Sequence, residues 1–103
     1  MSKHEEKWIA RKLKLERDVL QHGQKIVAQT NSNGVWVAVD GKDHFSGKPY
    51  RTEYVSPEVL FGGLEAWNEG AYVQVALSFY TVADREFIKT ALAPDFFGSE
   101  DDD

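Results

Sequence analysis

Residues 4–22 repeat apolar side chains at helical spacing. Trp8, Leu15 and Val19 form one stripe, and Ile9, Leu13 and Leu20 form a second about 100° further round. Lys12 and Glu16 stand four apart between the stripes, as a weakly supporting pair. The two stripes make either one broad face packed on a sheet or contacts to two bodies, the second a partner chain. In the first case the Lys12 and Glu16 stems cover apolar surface. Gly23, just after His22, has the place of a residue past a helix end.

Residues 25–30 then read as a strand, because carrying the helix through Gly23 costs about 1 kcal/mol. Helix continuation over 24–30 is the alternative. Asn31-Ser32-Asn33-Gly34 has the Asn-Gly pair and the four-residue span of a hairpin, returning through Val35-Trp36-Val37-Ala38-Val39. Residues 40–49 are rich in turn formers. Residues 50–55 alternate as a half-buried strand.

Ser56-Pro57-Glu58 opens a helix with a cap, a proline at its first position and an acid near the positive end of the dipole. Its apolar face is Val59, Leu60, Leu64 and Trp67. Gly62-Gly63 inside it implies a bend or a closely approaching backbone, and Gly70 ends it. Residues 71–80 alternate Val73, Val75, Leu77 and Phe79 against Tyr72, Gln74, Ala76, Ser78 and Tyr80, the pattern of a central strand. Thr81-Val82-Ala83-Asp84 starts a last helix in the manner of a capping box, with Phe87, Ile88 and Ala91 inward and Pro94 as its stop.

The pattern predicts an α+β fold in the order α-β-β-β-α-β-α: an antiparallel sheet of about four strands with three helices. Residues 1–97 make one domain, and 98–103 make an acidic tail disordered by self-repulsion. A chain of 103 residues with 42% hydrophobic content can bury a core without staples. The absence of cysteine excludes a disulfide scaffold and thiolate chemistry, and it fits a cytoplasmic setting. No apolar run is long enough to span a membrane, and the charged first seven residues are not a secretory signal.

Charge changes the picture more than composition does. The net charge of −5 averages a first half with ten Lys/Arg and six Asp/Glu and a second half with two Lys/Arg and eleven Asp/Glu. Chemistry-bearing motifs are sparse. Asp40, Asp43 and His44 share a turn-rich loop and are the metal candidates, but the twelfth position from Asp40 is Arg51, where a calcium loop places Glu. Glu58 and Glu65 share a helix face, which fits a solvated surface. Neither a phosphate-loop spacing nor a nucleophile elbow occurs. No cofactor is implied.

Binding features are stronger. Lys7, Arg11, Lys14 and Arg17 on the first helix, with Lys42, Lys48 and Arg51, could neutralise phosphates, and Trp36, Tyr50 and Tyr54 could stack bases. Phe96 and Phe97, followed by Glu100, Asp101, Asp102 and Asp103, could anchor in a basic groove of a protein partner. In composition that end resembles the acidic aromatic tails of single-stranded-DNA-binding proteins, with the Phe pair placed before the acids. Thr81-Val82-Ala83-Asp84-Arg85-Glu86-Phe87-Ile88-Lys89-Thr90 resembles small phage-encoded proteins. The leading expectation is a small non-enzymatic regulatory protein, of phage or mobile-element type, that modulates a protein partner through surface contacts. The alternative is a nucleic-acid-binding module, and a metal-dependent enzyme comes third. Self-association through the first helix is also open.

Overall fold

The computed structural model describes residues 3–92, with side chains from Trp8 onward. The stop at Pro94 and the acidic end, 95–103, lie outside the described residues. The chain is one α+β domain whose elements are α1 (Lys3–Asp18), β1 (Lys25–Asn31), β2 (Gly34–Lys42), β3 (Pro49–Arg51), α2 (Pro57–Asn68), α3 (Val73–Ala76) and α4 (Val82–Thr90). The sheet is antiparallel, in the order β1-β2-β3.

The hairpin forms where Asn-Gly predicts it. Asn31 pairs with Gly34, Gly34 takes a positive φ of 118°, and the Asn31 side chain accepts from the Asn33 N–H at 2.8 Å. Both helix-start expectations hold. Ser56 Oγ accepts from Val59 N at 3.3 Å, and Thr81 Oγ1 accepts from Asp84 N at 3.1 Å.

Three expectations are corrected. Residues 71–80 are not a strand. They hold α3 and the turns after it, so among the described residues the sheet has three strands and the helices number four. Val73, Ala76, Leu77 and Tyr80 also satisfy the i, i+3, i+4, i+7 spacing of a helix face. Leu77 and Tyr80 are buried, whereas Val75 is 65% exposed. The alternation was a coincidence of two periods over a short run.

The third strand is shorter than residues 50–55. Beyond Arg51 the ladder breaks, and Val55 pairs again with Val37. Four steps from Arg51 to Val55 oppose three from Asp40 to Val37, so one extra residue bulges out. The first helix ends at Asp18, not at residue 22. The Val19 and Leu20 N–H groups both bond to Leu15 O, which winds the chain off the helix and buries both side chains. Gly23, at φ 84°, belongs to the turn that enters β1.

The core joins Leu15, Val19 and Leu20 of α1 and its exit to Leu60 and Leu64 of α2, Leu77, and Phe87 and Ile88 of α4. Each fully buried side chain of this kind contributes about 1.5–3 kcal/mol. Gly63 shows why α2 tolerates its glycine pair. A Cβ there would stand 2.7 Å from Ala76 O and 2.9 Å from Leu77 Cδ2, whereas a Cβ on Gly62 would meet nothing within 4 Å. The close approach expected from Gly62-Gly63 therefore concerns Gly63 alone. No helix among the described residues is long and apolar enough to cross a membrane.

Candidate protein-binding cleft

Two regions concentrate side-chain organisation, and they lie at opposite margins of the sheet. At the β3 margin, buried hydrogen bonds tie the bulge to the last helix. The Thr52 N–H donates to Val39 O at 2.9 Å, and Thr52 Oγ1 accepts from Val39 N at 2.9 Å. The Tyr80 hydroxyl donates to Glu53 O at 2.9 Å and lies 3.0 Å from Thr52 Oγ1. Asp84 accepts from the Tyr50 hydroxyl through one oxygen and from Glu53 N, at 3.2 Å, through the other. Burial pushes the Tyr80 phenol up to about 12; burial and then the Asp84 hydrogen bond push Tyr50 higher still. Every polar group here is consumed by another, so the network is a joint between β3 and α4.

At the β1 margin the arrangement is open. α1 crosses α2 through a Trp8–Phe61 ring contact at 5.3 Å and a two-pronged bond from Arg11 to Glu65, at 2.9 and 2.8 Å. The Arg11 guanidinium lies 5.0 Å from the Trp8 ring centroid and 5.4 Å from that of Phe61. This clamp fixes the first half of α1 beside β1 and leaves a cleft of about 270 Å³ between them. Buried Ile26, Val37 and Phe61 form its floor. Trp8 and Ile9 make one wall, and Ala28, Thr30 and Val35 the other. Ile9 is 41% exposed and Val35 48%. Leu13, one turn beyond Ile9, is 54% exposed, so the second stripe of α1 is unburied except at Leu20.

The backbone of β1 is also open along this cleft. Val37 and Val39 direct their N–H and C=O groups to the β3 side, as their bonds to Val55 and Thr52 show. Their partners Ala28 and Ile26 therefore point away from β2, and so does Thr30 by the alternation of an antiparallel ladder. At Ile26 the outward N–H is met by Glu16 Oε2 at 2.7 Å, while Lys12 Nζ holds the same carboxylate at 3.2 Å. At Ala28 and Thr30 the outward groups have no partner among the described residues.

The residues expected to contact nucleic acid do not gather into one surface. Lys14 and Arg17 both hold Asp18, and the Arg17 hydrogen bond keeps that carboxyl below its ordinary range. Arg51 is paired with Asp40 at 3.1 Å and lies 5.8 Å from the Tyr54 ring. Trp36 and Tyr50 occupy opposite faces of the sheet, since Tyr50 pairs with Gly41 and shares the face of Val37 and Val39. Lys42 and Lys48 are exposed, with no acidic partner among the described residues. The Lys7 side chain, and the protein-binding candidates Phe96, Phe97, Glu100, Asp101, Asp102 and Asp103, lie outside what is described.

The metal candidates are separated by their own bonds. Asp40 holds Arg51, Asp43 accepts from Ser46 N at 2.5 Å, and His44 packs edge-on against His22 at 5.8 Å. Among the described residues no group of three or more His, Asp or Glu is disposed to hold a metal ion.

The cleft was not anticipated from the sequence. Two signals could have found it: the second stripe of α1, and an edge strand, Ile26-Val27-Ala28-Gln29-Thr30, with neither proline nor charge. Comparison of the chain with protein-family models, with curated proteins and with solved structures gives no match.

Proposed function

We propose that this chain is a non-enzymatic binding protein that acts on a protein partner through the cleft between α1 and the β1–β2 hairpin. The observation that carries the reading is an apolar cleft between two walls that stays open to solvent while its floor is packed core. An apolar surface left uncovered beside a completed core is the usual mark of an interaction site. The β3 joint supports the reading from the other side, since its polar groups are spent on holding the fold. The exposed Ile9 and Leu13 enlarge the apolar area around the cleft.

The test is retention of a partner from lysate of the source cells by immobilised full-length protein and by Val35→Glu. Val35 is exposed, so this change places a charge on the wall at little cost to the fold. A specific protein held by the unchanged chain and lost with Val35→Glu is the expected result. Equal retention by both would remove the cleft from the reading.

A nucleic-acid-binding module is the second reading. It rests on Lys42, at the end of β2, and Lys48, in the loop that follows, which are exposed and have no acidic partner among the described residues. Oligonucleotide anisotropy over a salt series tests it, with affinity falling steeply as salt rises. Absence of binding at low salt ends it.

A further inference from the structure

We infer that the cleft takes an extended segment of a partner polypeptide, which joins the sheet as an added strand against β1. This rests on the cleft being the binding surface and specifies what enters it and how. Ala28 and Thr30 each turn one N–H and one C=O away from β2, along the sheet edge that borders the cleft, with no partner among the described residues. Their side chains belong to the same wall. A strand placed about 4.8 Å beyond β1 would lie in the gap between β1 and the Trp8–Ile9 wall of α1. It would exchange two hydrogen bonds with Ala28 and two with Thr30. Because side chains alternate, its residues opposite Ala28 and Thr30 point into the cleft, over Ile26, Val37 and Phe61. Main-chain pairing supplies affinity, and the cleft supplies preference for apolar residues at those two positions.

The length and polarity of the segment follow from what bounds the gap. Glu16 occupies the outward N–H of Ile26, so pairing stops there. Lys25 is exposed beyond it and has no ion pair among the described residues. An antiparallel segment of the pattern apolar-x-apolar-x-x-acid places its two apolar residues opposite Thr30 and Ala28 and its carboxylate opposite Lys25. Just past the last paired residue, the attraction of that carboxylate to Lys25 favours this register. A second copy of this chain fits less well. Its β1 would bring its own α1 into a gap one strand wide, and antiparallel pairing through Ala28 and Thr30 would leave Lys25 opposite uncharged residues, with no acid to meet.

The probe is the capped peptide Ile-Thr-Ile-Thr-Thr-Asp, added to the full-length chain and read by residue-resolved amide hydrogen exchange. At saturation the Ala28 and Thr30 amides should slow about tenfold or more, because they gain acceptors. Val27 and Gln29, already paired to β2, should change little. The same peptide with a methyl on the backbone nitrogen of its second isoleucine cannot donate to Ala28, and its affinity should fall about tenfold or more.

If both peptides bind equally and shift Trp8 and Phe61 resonances while Ala28 and Thr30 exchange is unaltered, strand addition is overturned and the cleft stands as a binding surface. No response to either peptide also overturns it. Protection of Ala28 and Thr30 that rises with protein concentration, without peptide, would overturn it in favour of a second copy as occupant.

Discussion

Along the β3 margin the backbone at the bulge is met by partners. Val55 pairs with Val37, Thr52 serves Val39 through both its N–H and its hydroxyl, and Asp84 and Tyr80 hold the Glu53 backbone. Along the β1 margin a single side chain, Glu16, does this work at Ile26, and the strand then runs on uncovered. A sheet edge is an unfinished surface by nature, and the two margins show what finishes one. The closed margin has a helix delivering acceptors at the right depth. The open margin has a helix held off by the Arg11–Glu65 clamp, with apolar side chains facing the gap.

The largest expected effect separates neighbouring positions on the open strand. Val27 faces Ala38 in a hydrogen-bonded pair, so Val27→Pro removes a ladder donor and should cost about 3 kcal/mol or more. Ala28→Pro removes an N–H that faces solvent and should cost no more than about 1 kcal/mol. Urea melts of the two variants check this, and equal losses would mean that the open margin is not open.

At the closed margin, Asp84→Ala strips acceptors from Tyr50 and Glu53 and should destabilise by about 2–3 kcal/mol. The same joint predicts alkaline lability. Tyr80 ionises near 12 in the folded chain and near 10 when unfolded. Its contribution is therefore complete below pH about 10 and is lost as pH rises toward 12, with Tyr50 adding to the loss. Stability measured from pH 8 to pH 12 should fall across that window. A flat profile would contradict the burial of the two phenols.

The seat of α2 on α3 comes next. Gly63→Ala forces a methyl against Ala76 O and should cost about 2 kcal/mol, while Gly62→Ala has open space and should gain about 0.5–1 kcal/mol. Thermal melts of the pair should move in opposite directions. The smallest loss expected is at Glu16. Glu16→Gln keeps an acceptor for Ile26 but ends the ion pair with Lys12, so about 0.5 kcal/mol is lost. In denaturant titrations, a loss as large as that of Asp84→Ala would show that the two margins are equally closed.

Much of the scaffold was legible because its signals are local. The Asn-Gly turn, the Ser56-Pro57 start and the Thr81 cap each act within four residues, and all three appear as read. Residues 71–80 misled because alternation and helical spacing coincide there. The deciding contact, Gly63 against Ala76 O, is made by a residue thirteen positions away. The cleft was half legible. Two stripes on the first helix were evident, but which one stays bare depends on Glu16 reaching Ile26 and Arg11 reaching Glu65, pairings that no spacing encodes. Arg11 shows the limit of counting charges, since a cation read as a phosphate contact is a tether within the fold.

The seven residues of β1 are about the length that stacks into cross-β fibrils. Glu16 caps the strand near its start, so the length free to template another chain falls below what such stacking needs. Glu16→Ala should raise thioflavin fluorescence on prolonged incubation well before it alters the melting temperature greatly.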